Sequence, residues 1–159
     1  MNQAGFICYR PKYKRNPAYV YIVLPCRCPF TLSITKESIF TALGKGLGLS
    51  KEIQIRDSEL DQAFHFHTKE ELLTRSILSY EKLLAFLREL KGNKFFQSLM
   101  FTAAEATAAQ VKDELNFIKP NPGLQCRFYG TPKQHSNNRD QVRDQLAVLS
   151  SLRDRIIRM

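Results

Sequence analysis

A chain of 159 residues with 43% hydrophobic and 25% charged content has the size and composition of one soluble globular domain, long enough to bury well over half of its unfolded surface. Its net charge of +9 is concentrated at the amino terminus, where residues 1–36 carry Arg10, Lys12, Lys14, Arg15, Arg27 and Lys36 and no acidic side chain. No apolar run approaches the ~20 residues of a membrane span, because Ala18–Leu24 stops at Pro25 and Arg27 follows, so a transmembrane helix is not expected.

The basic start before a short apolar run has the outline of a signal peptide, but Tyr19-Val-Tyr-Ile alternates and no small-residue cleavage site follows, which points to a cytoplasmic protein. Cysteines 8, 26, 28 and 126 sit in a chain with ample apolar residues for a core, so reduced thiols are expected rather than a disulfide scaffold.

Residues 1–16 read as a basic arm or irregular lead-in, with Phe6, Tyr9 and Tyr13 among the cations and Pro11 and Pro17 opposing regular structure. A single α+β domain then spans 17–159. Ala18–Leu24 is β-branched and aromatic and reads as a strand ended by Pro25; Phe30–Thr35 alternates Phe30, Leu32 and Ile34 with hydroxyl residues and reads as a second. Joined by Pro25-Cys-Arg-Cys-Pro, the two are expected to be neighbours. Apolar positions Ile39, Phe40 and Leu43 predict a helix over 36–43, stopped by Gly44, Gly46 and Gly48. This glycine cluster lacks the length and the Lys-Ser/Thr of a phosphate-binding loop.

Lys51–Ile55 alternates and reads as a short strand. Thr68 and Glu71 have the spacing of a capping box, predicting a helix from about Lys69. Ile77, Tyr80, Leu83, Leu84, Leu87 and Leu90 form one helical stripe, with Ser79 as a possible restart and Gly92-Asn93 as the stop. Phe95–Thr102 reads as a strand, and 103–110 is alanine-rich with a weak helical preference. Residues 115–118 and 124–129 flank Lys119-Pro-Asn-Pro-Gly as a hairpin-like pair, and 131–138 reads as a polar loop. Val142, Leu146, Leu149, Leu152 and Ile156 predict a closing amphipathic helix of about five turns. The expected fold is α+β: an antiparallel sheet of four or five strands on two main helices, 77–90 and 139–158.

Three groups of residues invite a chemical reading. Tyr9, Arg10, Lys12, Tyr13, Lys14 and Arg15, with Arg27, combine cations with rings, the ingredients for single-stranded nucleic acid or an anionic membrane surface, or simply for a solubilising arm. His65 and His67 share one face of an extended segment, and Cys26 and Cys28 repeat the same period. The four would make a Cys2His2 zinc site if the segments met, although one residue between cysteines is fewer than structural zinc sites use. Without such a site, both histidines lie on a surface beside a phenylalanine face. Asp57, Glu59 and Asp61 lack the glycine and ligand count of a calcium loop and read as turn and cap residues. No catalytic set is recognisable.

The run Leu24–Glu37, then Gly46–Phe66, then Ile77-Leu resembles an uncharacterised bacterial domain that carries a Gly-Asp-x-x-Phe-Asp-x-x-Phe signature. Its counterpart here is Arg56-Asp-Ser-Glu-Leu-Asp-Gln-Ala-Phe64, with Arg56 in place of glycine and Leu60 in place of the first phenylalanine. Over residues 20–90 the resemblance implies an α+β domain, often the soluble part of envelope-associated proteins, with no established activity and no catalytic residues to carry over. The functional expectation is a non-enzymatic interaction module docking on a partner protein or an anionic membrane surface, cytoplasmic, with a place at the membrane periphery in the second case. A nucleic-acid-binding protein is the alternative, and a metal-dependent enzyme the third reading.

Overall fold

Side chains that alternate between two faces at period two organise the molecule. A computed structural model describes residues 5–15, 17–36, 51–103, 122–136 and 139–159. Among these, seven strands form one open antiparallel sheet: β1 (Phe6–Arg10), β2 (Tyr19–Pro25), β3 (Leu32–Lys36), β4 (Lys51–Ile53), β5 (Phe64–Thr68), β6 (Phe96–Thr102) and β7 (Gly123–Tyr129). The order across the sheet is β1-β2-β7-β6-β3-β5-β4. Five helices accompany it: α1 (Ser58–Ala63), α2 (Glu71–Leu78), α3 (Glu81–Gly92), α4 (Pro132–Ser136) and α5 (Arg139–Ile157). None of the described helices is long and apolar enough to cross a membrane.

The register carries the alternation across the whole sheet. One row runs Ile7, Ile22, Cys126, Leu99, Ile34, Phe66, Ile53, and from Ile22 onward every member belongs to the apolar cluster that also contains Leu83, Phe86, Leu87, Leu90, Leu149 and Leu152 of the helices. The adjacent row, on the opposite face, is Phe6, Val23, Gln125, Met100, Ser33, His67, Glu52, and beside it lies Cys8, Tyr21, Arg127, Ser98, Thr35, His65. A bulge between Phe96 and Ser98 absorbs Gln97, keeping Phe96 opposite Phe128 and Ser98 opposite Arg127.

The sheet is larger than the four or five strands expected, and three local expectations change with it. Phe6–Arg10 is an edge strand rather than an irregular lead-in. β2 and β3 are not neighbours, because β7 and β6 lie between them: β2, buried along most of its length, is paired on both sides, by β1 and β7. The expected 77–90 helix is two helices. The Ser79 amide reaches back to the Arg75 carbonyl at 3.0 Å, while the extended Tyr80 accepts from the amides of Leu83 and Leu84 to begin α3. The polar loop at 131–138 contains α4, whose first turn is closed by the Gln134 amide donating to the Thr131 carbonyl at 3.0 Å. The helix and glycine stop expected over 36–48, the segment 103–110 and the strand 115–118 fall outside the described residues, apart from Lys36, which ends β3, and Ala103.

At the start of α2 the reciprocal capping box does not form. Thr68 accepts from the Glu70 amide at 3.1 Å and donates to the Thr31 carbonyl at 2.8 Å. Glu70 accepts the Thr31 amide, and Glu71 turns outward to Arg75. The pairing of Thr68 with β3 places its hydroxyl between strand and helix, where tying the two together satisfies more buried polar groups than a local cap would.

The acidic turn behaves as expected. Asp57 caps α1 by accepting the amides of Glu59 and Leu60, its other oxygen meets Arg88 of α3 at 2.7 Å, and Asp61 accepts the Ile55 amide at 2.9 Å. Leu60 and Phe64 are core residues. Arg56 adopts φ 65°, a left-handed conformation that glycine tolerates without a Cβ clash.

Four substitutions separate these contributions to stability. Phe66→Ala costs about 3–5 kcal/mol by urea unfolding, whereas Leu72→Ala, at a position 88% exposed, stays within about 0.5 kcal/mol. Arg56→Gly raises stability by about 0.5–1 kcal/mol, as relief of the left-handed strain outweighs the added freedom of the unfolded chain. Asp57→Ala lowers stability by about 1 kcal/mol at neutral pH. The Leu60 amide, then the Arg88 guanidinium, hold the Asp57 carboxyl below its ordinary value. Its contribution is therefore present above the unfolded-state pKa and lost as pH falls through the folded one, so the two proteins converge in unfolding assays in strong acid.

Candidate functional site

Among the described residues, the helix layer stops short of the β1 edge of the sheet. Ile7 and Tyr9 of β1 point to the helix side, the side of their partners Ile22 and Val20, yet they remain 51% and 38% exposed. Between this overhanging strand and the start of α5 lies a groove of about 390 Å³, whose apolar walls are Ile7, Tyr9, Val20, Ile22, Phe128 and Val142. Among the described residues, none that lines it is acidic. His135 closes the end near α4, held by a 2.8 Å contact to the Tyr129 carbonyl and by ring contacts to Phe95 and Phe128. Among the described residues β1 is the last strand on this side, so its outer edge has the character of a strand able to pair with another chain.

The cations sit along this edge without merging into one patch. Arg10, Lys12, Lys14 and Arg15 leave the end of β1, and the Lys14 ammonium lies 5.3 Å from the Tyr13 ring centroid. Tyr9 faces the groove, whereas Arg10, one residue on, takes the opposite face beside Tyr19. Arg27 follows the far end of β2, which is about 20 Å away along a strand of this length. The aromatic and cationic residues of the amino-terminal segment are thus divided between two faces and two ends.

On the other side of the sheet, β5 presents His65 and His67 while Phe64 and Phe66 enter the core. His65 Nδ1 lies 2.7 Å from Glu52 Oε1, the two imidazole centroids are 6.4 Å apart, and one ligand atom from each of Glu52, His65 and His67 falls within 4.8 Å of the others. Burial holds the His67 imidazole below the ordinary histidine value, partly countered by Glu52. Ser33 and Thr35, buried polar residues, are the β3 partners of His67 and His65. The same face continues into Ser98, Arg127 and Tyr21, all buried, with the Arg127 guanidinium 5.0 Å from the Tyr19 ring centroid.

The cysteine pair is placed elsewhere. Cys28 is in the apolar cluster and its thiol donates to the Phe30 carbonyl at 3.1 Å; Cys26 is half-buried at the end of β2, its amide bound to the Pro122 carbonyl. The residue gathered with the histidine pair is Glu52, from the neighbouring strand, and not Cys26 or Cys28. The clue to Glu52 in the sequence is slight: Lys51-Glu-Ile is a three-residue strand, and only the register Glu52 opposite His67 brings it to the site. No family model matches the chain, and no curated protein matches it.

Burial raises the Cys28 thiol to about 12 and raises those of Cys126, Cys26 and Cys8, which withdraws the reactive thiolate near neutral pH. Iodoacetamide at mildly alkaline pH should therefore leave Cys28 and Cys126 unmodified in the native protein, and alkylate all four cysteines after denaturation. Mass-spectrometric mapping checks this, and rapid native labelling of Cys28 would contradict it.

Proposed function

We propose that the protein is a non-enzymatic docking module that captures an acidic, extended segment of a partner protein along β1 and its groove. The observation that carries the reading is the uncovered apolar side of an edge strand, Ile7 and Tyr9 against Val142, with cations at its end and no acid in its lining. An added strand would gain backbone hydrogen bonds from the edge and place alternate side chains in the groove. Arg10, Lys12, Lys14 and Arg15 would attract a negative segment and fix its direction. A concave groove beside a strand edge suits a polypeptide better than a flat lipid surface. Division of the tyrosines and cations between two faces counts against a continuous track for nucleic acid, which uses rings and cations along one groove.

The test is fluorescence anisotropy with a labelled decapeptide of alternating glutamate and valine. Saturable binding is expected, weaker above about 0.15 M salt as screening grows and at least about tenfold weaker, or 1.4 kcal/mol, with Ile7→Asp or Val142→Asp. No binding up to about 1 mM, or equal binding of a lysine–valine decapeptide, overturns the proposal. Flotation with phosphatidylserine vesicles that is lost with Ile7→Asp and Val142→Asp, in the absence of peptide binding, would replace the peptide by a membrane.

A further inference from the structure

We propose that Glu52, His65 and His67 form an open binding site for a first-row divalent metal ion of the zinc class. The site is on the sheet face opposite the helices and is independent of the β1 groove. Three observations converge on it. The ligand atoms are of the right kind: two imidazoles and one carboxylate are a donor set shared by catalytic zinc sites and by other divalent transition ions. They are also near the right separation. With metal–ligand bonds of about 2.0–2.2 Å in tetrahedral geometry, ligand atoms stand roughly 3.3 Å apart, and here the three lie within 4.8 Å of one another, with one pair already at 2.7 Å. Small rotations of Glu52 and His65, the more exposed members, toward the buried His67 bring them to a common centre.

The third observation is that the backbone holds the set in place. His65 and His67 are fixed on one face by the burial of the alternating Phe64 and Phe66 on the other, and Glu52 is opposite His67 in the β4–β5 register. Ser33 and Thr35 stand beside the histidines on β3, where hydroxyls can orient ligating imidazoles. Three protein ligands leave at least one coordination position for water or an anionic ligand, unlike the closed four-ligand sites that staple small folds. Soft thiolate ligation plays no part, since the cysteines are not in the set.

The experiment is titration of the full chain with Co²⁺, read by its visible absorption bands, followed by competition with Zn²⁺. One equivalent is expected to bind, with no thiolate-to-cobalt charge-transfer band, and Zn²⁺ should displace it. His65→Ala and Glu52→Gln, both at accessible positions, should each weaken binding at least about tenfold with unchanged far-UV circular dichroism. His135→Ala, which removes the remaining histidine, should leave it unchanged. Absence of saturable binding overturns the proposal. So does binding that survives His65→Ala, or a thiolate charge-transfer band that vanishes with Cys26→Ser. Peptide binding at the β1 groove should persist in His65→Ala, so failure of this site and failure of the docking reading are separable.

Discussion

Everything in this molecule rests on register. Because a strand's side chains alternate, a one-residue slip in any pairing would send its apolar set to the wrong face. In β5 the consequence would be severe, since Phe64 and Phe66 would leave the core and His65 and His67 would enter it unpaired, at the cost of desolvating polar groups. The apolar row through Ile22, Cys126, Leu99, Ile34, Phe66 and Ile53 holds six strands in the same phase, and α3 and α5 seal it. The histidine site is the reverse side of the same arrangement.

Among the described residues, α3 and α5 do not reach across all seven strands, and the helix-side residues Ile7 and Tyr9 of β1 stay exposed. Its sequence is fitted to that position: apolar Ile7 and Tyr9 on the helix side, then Arg10, Pro11 and Lys12, where charge and proline discourage indiscriminate strand addition.

Much of this architecture is legible in the sequence. β2 and β3 are visible as β-branched or alternating runs, β6 as an aromatic-rich run without clean alternation, β7 as the segment after the Pro-Asn-Pro-Gly turn, α5 as a stripe from Val142 to Ile156, and Asp57, Asp61, Leu60 and Phe64 as cap and core residues, because each signal is local. What escapes is non-local. Nothing in Pro25-Cys-Arg-Cys-Pro says that the chain skips two strand positions between β2 and β3. The stripe from Ile77 to Leu90 runs through the break at Ser79-Tyr80, since Tyr80 keeps its apolar phase across it; Ser79, read as a restart, is the one local sign of it. The pairing of His65 and His67 on one face is readable from period two alone. Their association with Glu52, thirteen residues before His65, depends on which strand lies beside β5, and the cysteine pair, equally suggestive in spacing, is carried away into and beside the core.

Cross-strand Hα–Hα nuclear Overhauser contacts test the central claim most directly, because alternate pairs in an antiparallel ladder bring these protons into close contact. The register predicts that the contacts of β5 come from the set Ser33–His67, Ile34–Phe66 and Thr35–His65 on one side and Glu52–His67 and Ile53–Phe66 on the other, with Tyr9–Val20 and Cys8–Tyr21 among the candidates at the β1 edge. Contacts displaced by one residue along β5, such as Ser33 with Phe66, would contradict it and dissolve the histidine site; absence of any β1–β2 contact would remove the groove.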